Sequence, residues 1–169
     1  MICNCGRVGE IGSEHLCSFC FIERFEKRVK KALRQRKLEK NERVLVVGEV
    51  AAYLFNKYIR VPLFVEYSSE LKEWFDAVII EWTMDDECIA FLEAFAGGKL
   101  KDDSSIKLFQ FVSDQDVGLY AKMKNLNFIP RKKSMHWQEF LSRFDLDMKY
   151  NLLRSAGEFR ELMRKPNKN

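Results

Sequence analysis

Short, continuous apolar runs that alternate with stretches of helical period predict an α/β fold with a largely parallel sheet of about four to five strands and flanking helices. Two further observations support this. With 169 residues, 47% hydrophobic and 32% charged, the chain can bury one domain-sized core and is neither a disordered tail nor a membrane protein. Only three prolines and eight glycines, with no internal period, exclude a repeat array. No stretch approaches the ~20 apolar residues of a bilayer span. Met1 to Gly6 has neither the basic start nor the apolar run of a secretory signal, so the cytoplasm is the expected compartment.

The first 20 residues hold four of the five cysteines, Cys3, Cys5, Cys17 and Cys20, as C-x-C, eleven residues, then C-x-x-C. Four thiolates on two short knuckles suit tetrahedral zinc, and a segment too short and polar to fold alone would gain its stability from the metal. A structural zinc ribbon over 1–20 is therefore expected. His15 is close enough in sequence to replace one sulfur. Two disulfides, a redox C-x-x-C and an iron–sulfur cluster are the competing uses of these cysteines.

From Phe21 to Leu38 the periodicity predicts one long helix within a linking segment 21–41. Ile22, Phe25, Val29, Ala32 and Leu33 form its apolar stripe, while Arg24, Lys27, Arg28, Lys31 and Arg34 lie largely off it. Strands are expected at 43–48, 61–67, 76–82 and 106–113, and helices at 50–58, near 69–75, at 84–97 and at 114–125, within a domain 42–130. Ser113 caps the last of these helices, and Gly97-Gly98 closes the one before it. Met84, Cys88, Phe91, Leu92 and Phe95 share a stripe, which makes Cys88 a buried structural thiol. Beyond 131, Trp137, Phe140, Leu141 and Phe144, then Leu152, Leu153, Phe159 and Leu162, indicate about two further helices. The polar end Lys165 to Asn169 is expected to fray.

Charge is segregated along the chain. Residues 21–43 carry ten bases against four acids, 44–130 eight against fourteen, and 131–169 ten against five. Clustered bases around an acidic body suit a polyanion such as RNA or DNA; the plainer alternative is a set of solvated helices. Arg131, Lys132 and Lys133 form a second basic run. In parallel α/β folds a nucleotide is held by a glycine-rich turn after the first strand. Here that turn reads Gly48, Glu49, Val50, Ala51, Ala52, with one glycine and a carboxylate where a phosphate would sit, so ATP binding is expected to be lost. Asp85 and Asp86 suit either acid/base or Mg²⁺ chemistry, or simply a favourably charged helix start.

The knuckle running into Leu16-Cys17-Ser18-Phe19-Cys20-Phe21-Ile22-Glu23-Arg24-Phe25-Glu26-Lys27-Arg28-Val29 resembles the cytoplasmic tRNA 2-thiolation proteins of the PP-loop ATP pyrophosphatase superfamily. Further likeness lies in Glu42 to Val47, Trp82 to Cys88 with Phe91-Leu92, Ile106 to Phe109 and Val112 to Ala121. Catalytic members use ATP to activate the C2 carbonyl of a tRNA uridine and replace its oxygen with sulfur, through an S-G-G-x-D-S phosphate loop. That loop is degenerate here. No cysteine stands around 127–130, where a catalytic one is expected, and the second zinc finger of some members is missing. The pattern is similar to the noncatalytic subunit of the thiolation heterodimer. It implies a trimmed PP-loop-like domain, structural zinc, no ATP, a catalytic homologue as partner, and tRNA contacts through Arg24, Lys27, Arg28, Lys31, Arg34 and the 131–133 run. The alternatives are a stand-alone zinc-ribbon nucleic-acid-binding protein and an enzyme with an unorthodox nucleotide site.

Overall fold

The computed structural model describes residues 2–12, 14–97 and 105–164, the last three without their side chains. Gly98, the side chain of Leu162 and the 165–169 end lie outside the described residues. Four parallel strands form one sheet in the order β2-β1-β3-β4: β1 Arg43–Val47, β2 Phe64–Ser68, β3 Ala77–Thr83 and β4 Ile106–Phe109. The helices are α1 Ser18–Leu33, α2 Glu49–Tyr58, α3 Met84–Phe95, α4 Asp114–Met123, α5 Met135–Ser142 and α6 Leu146–Arg164. The predicted α/β class holds, with four strands.

The main core lies between the sheet and α1, α2 and α4. Val44, Val46, Ile79 and Leu108 of the strands meet Phe25 and Val29 of α1, Leu54 and Phe55 of α2, and Val117 and Tyr120 of α4. Phe25 stacks on Tyr120 with ring centroids 4.0 Å apart and tilts against Phe109 at 5.8 Å. A second cluster joins Met84, Cys88 and Ile89 of α3 to Leu141 of α5, with Leu153 of α6 packed against it. Cys88 is fully buried there as expected, and burial pushes its thiol up to about 12. Phe95 departs from the stripe and is 73% exposed, one turn beyond the Phe91 ring that meets Phe159 at 5.8 Å.

Helix α1 starts at Ser18 with Cys17 as N-cap, so the 20/21 division falls inside its first turn. It stops at Leu33 rather than Leu38. Just past its end, Arg36 reaches the Asp76 carbonyl at 2.7 Å and Glu42 at 3.3 Å, and these tertiary bonds take the chain out of helical register. Strand β2 begins at Phe64 rather than Val61, after Pro62, which has no N–H to give a ladder. Strand β4 ends at Phe109 rather than Ser113 because the chain turns, Val112 N–H donating to the Phe109 carbonyl at 2.8 Å.

The helix expected near 69–75 is absent. The connection from β2 to β3 must run back the length of a strand, ~16 Å, and step across β1, ~10 Å sideways. Eight residues wound as helix would reach only about 12 Å, so the segment runs as an irregular, bent connection instead. Trp74 adopts φ 76° there, and Leu71 and Trp74 are 61% and 83% exposed.

An acid hidden in the α1 stripe ties the first core together. Glu26 is buried and accepts from Lys57 Nζ at 2.6 Å, from Tyr120 Oη at 2.8 Å and from Tyr58 Oη. Burial alone would raise its carboxyl, but the Lys57, Tyr58 and Tyr120 donors outweigh that and hold it below the ordinary glutamate value. A depressed folded value gives stability that is complete above the unfolded value and drains away as pH falls through the folded one. Glu26→Gln is expected to cost about 2 kcal/mol near neutrality and to flatten the acid limb of the stability profile, read by urea titration from pH 7 to pH 3.

Candidate functional site

Three regions carry the residues that the sequence singles out. In the first, two short antiparallel bridges, Ile2 with Val8 and Ile11 with Leu16, fold the N-terminal segment into paired turns. Gly6 sits in the first turn at φ 84°, and its N–H donates to the Cys3 carbonyl at 2.8 Å. The turns bring Cys3, Cys5, Cys17 and Cys20 together with all four sulfurs within 4.8 Å of one another. His15 is not in this group. No disulfide joins the cysteines. A tetrahedral ion with bonds of ~2.3 Å sets its sulfurs ~3.8 Å apart, and the Cys5 and Cys17 sulfurs stand at 3.5 Å, so the donor set fits a metal ion. Backbone N–H groups of Cys5 and Cys17 bring the Cys3 thiol down to about 6, and the Cys20 N–H lowers Cys17, favouring thiolate. The neighbouring Cys5 and Cys17 thiols push Cys20 up to about 12.

The second region is a cleft of about 600 Å³ beyond the carboxyl ends of β1, β2 and β3, where the chain order reverses in the sheet. Gly48, Glu49 and Glu81 line it. Tyr67, Leu71, Ile129 and Arg131 lie around it. Gly48 is the N-cap of α2 at φ 104°, and Val50 and Ala51, which follow the turn, are buried helix residues as the expected 50–58 helix requires; Ala52 is half-buried. The N-terminus of α2 is already engaged: the Ala51 N–H donates to Glu81 Oε1 at 2.9 Å. A Cβ on Gly48 would come within 2.1 Å of the Glu81 carboxyl carbon, so the glycine makes the room for that carboxylate. Burial raises the Glu81 carboxyl, the Ala51 and Val50 N–H groups pull it back, and Glu49 adds to the rise. Sequence reasoning missed Glu81. The available signal was a carboxylate inside the apolar run Val78-Ile79-Ile80-Glu81-Trp82.

Beside the cleft, the acids at the start of α3 and α4 are tied into the fold. Thr83 accepts from the Asp86 N–H at 3.2 Å, and Asp86 accepts from the Thr83 N–H at 2.9 Å, forming a capping box. Ser113 caps α4 as predicted. Asp85 accepts from Lys149 Nζ at 2.7 Å and from the Asp114 N–H at 2.8 Å. Glu87 accepts from Trp82 Nε1 at 2.7 Å and Lys107 Nζ at 2.9 Å and pairs with Arg160. Asp85 and Asp86 therefore serve as helix-start and ion-pair groups.

The third region is the exposed side of α1, where Arg24, Lys27, Lys31 and Arg34 are exposed and Arg28 is half-buried. Lys31 lies over the Phe111 ring at 4.7 Å. Arg24 and Arg28 both clasp Glu14, a pairing that the sequence pattern did not suggest. The 131–133 run divides. Arg131 stacks over Trp82 at 4.8 Å beside the cleft, and Lys132 is exposed. Lys133 turns inward, with its side chain 4% exposed between Asp86 at 2.8 Å and Asp114 at 2.7 Å. It is not part of a surface patch.

No helix among the described residues is long and apolar enough to cross a membrane. Among solved structures the chain is similar to the U34-tRNA thiolase NcsA from Methanococcus maripaludis with its 4Fe-4S cluster, at a TM-score of 0.70 and 17% identity, covering 100% of this chain and 91% of that one. At that identity the likeness establishes a shared fold. No family model matches the chain, and no curated protein matches it.

Proposed function

We propose that the chain acts in tRNA modification as a noncatalytic partner subunit of uridine 2-thiolation in the cytoplasm, supporting a catalytic homologue and contributing tRNA contacts. The observation that carries this reading is the Glu81 carboxylate on the N-terminus of α2. A helix N-terminus at this point of an α/β sheet is where a phosphate is normally received. Here the chain supplies its own anion at 2.9 Å from the Ala51 N–H, and Glu49 adds a second negative charge to the cleft lining. A triphosphate would have to displace one carboxylate and approach another. The similarity to a tRNA thiolase supports the pathway, and the exposed bases of α1 support RNA contact.

The four sulfurs hold zinc in this reading. Their crowding within 4.8 Å suits a single ion, whereas a four-iron cluster binds each thiolate at a different corner and spreads them further. The test joins two measurements. Isothermal titration of the purified chain with Mg-ATP is expected to show no binding. Native mass spectrometry of the tagged chain from its own cells is expected to show one zinc and a second chain with an intact phosphate loop, and deletion is expected to lower tRNA thiouridine. ATP binding by the purified chain, or unchanged thiouridine after deletion, would overturn the proposal. Salt-sensitive binding to many RNAs with no second chain would favour a stand-alone nucleic-acid-binding protein instead.

A further inference from the structure

We propose that Arg24 and Arg28 form a latent seat for a phosphate group of RNA, and that Glu14 is the latch that closes it. The inference rests on the RNA-contact reading above. Arg24 and Arg28 are four residues apart on α1, so their guanidiniums leave the same face of the helix one turn from each other. Both converge on one carboxylate: Arg24 pairs with Glu14 Oε2 and Arg28 with Glu14 Oε1. Two oxygens of a phosphate diester present the same divided, anionic edge to a pair of guanidiniums, and arginine is the side chain that reads such an edge.

The latch is positioned from outside the helix. Glu14 stands in the turn closed by Ile11 and Leu16, whose N–H and carbonyl groups exchange bonds of 3.0 and 2.9 Å, three residues before Cys17. The metal knuckle thus presents the carboxylate to α1. Its side chain is 17% exposed, while those of Arg24 and Arg28 are 49% and 21% exposed: Arg24 is open to solvent beyond the latch, and Arg28, which lies over the Tyr150 ring at 5.6 Å, keeps a smaller exposed edge. Lys27, Lys31 and Arg34 continue the cationic face from there, ready to hold the next phosphates of the strand. In the free protein Glu14 occupies both arginines and cancels one of their two charges; RNA gains them by displacing it.

Removing the latch charge tests this. The full chain with its metal is titrated with an unmodified tRNA transcript over a range of salt. Glu14→Gln is expected to bind about tenfold more tightly at low salt, and its log–log salt slope is expected to steepen by roughly 0.7 to 0.9, one added phosphate contact. Glu23→Gln removes an equal charge from the same face without touching the arginines and is expected to gain much less. Should Glu14→Gln fail to fold, Glu14→Asp keeps the charge but is too short to span both guanidiniums, and an intermediate gain is expected. Equal affinity of the latch variant and the unaltered chain, or equal gains for Glu14→Gln and Glu23→Gln, would overturn the latch and leave the RNA reading standing. Absence of tRNA binding in every version would overturn both.

Discussion

Chelating the metal ion that the four cysteines would hold, or changing Cys17 to serine, is expected to melt residues 2–20 while the sheet stays folded. Apart from the Glu14 pairings with Arg24 and Arg28, little else holds the knuckle together. Two isolated bridges and three buried residues, Cys3, Leu16 and Cys17, are its share of the main core. Structural zinc contributes about 10–16 kcal/mol in small zinc modules, far more than three buried side chains supply. The loss would not stop at Cys20. Cys17 caps α1 and Cys20 lies in its first turn, so the α1 start frays and Phe21 loses its cover. β1, β3 and β4 hold their own ladders and remain protected. Hydrogen exchange with and without a chelator checks this. Fast exchange confined to the knuckle and the first turns of α1 is expected; identical protection in both states would show that the sulfurs do not fold around a metal. Because Glu14 rides on the same turns, metal loss is also expected to free Arg24 and Arg28.

The elements most readable in the sequence are those whose burial is decided locally. The run Arg43-Val44-Leu45-Val46-Val47 is apolar on both faces, and it became the inner strand β1 between β2 and β3. The cysteine spacing announced a cluster before any geometry was known, because two knuckles need no distant partner. What was illegible depends on length and on long-range charge. The segment 69–75 has helix-forming residues, yet the path it must cover is too long for a helix. Glu81 and Glu26 read as an interruption of a strand and an ordinary helix acid, and only the fold shows the donors that make them tolerable: the α2 N-terminus for one, Lys57, Tyr58 and Tyr120 for the other. Lys133 is the clearest case. Arg131, Lys132 and Lys133 are equivalent bases on paper, and neighbours distant in sequence assign each a different role.

Replacing Lys133 by alanine is expected to be the most damaging change at any basic residue outside the knuckle. The ammonium is the only cation recorded against Asp86, at 2.8 Å, and against Asp114, at 2.7 Å, among the described residues. Removing it leaves two carboxylates facing each other at the starts of α3 and α4, and breaking a buried ion pair from one side costs about 3–5 kcal/mol. The pH dependence distinguishes this from simple loss of packing. Burial works against the Lys133 charge, but Asp114 and Asp86 overcome it and raise the ammonium above the ordinary lysine value. Its contribution is therefore complete below the unfolded lysine value and is lost only as pH rises through the folded one, at alkaline pH. In the variant the two acids have no cation to oppose their repulsion. Burial already raises Asp114, so a proton taken up there at mild acidity relieves the strain. Urea titrations at pH 7.5 and pH 5 are expected to show a large deficit at the first and a clearly smaller one at the second. A deficit below about 1 kcal/mol at pH 7.5 would mean that the ammonium behaves as a solvated surface charge. Since Lys133 also pins the chain two residues after Arg131, the same variant is expected to loosen Arg131 from the Trp82 ring and to raise hydrogen exchange over 127–131 beside the cleft.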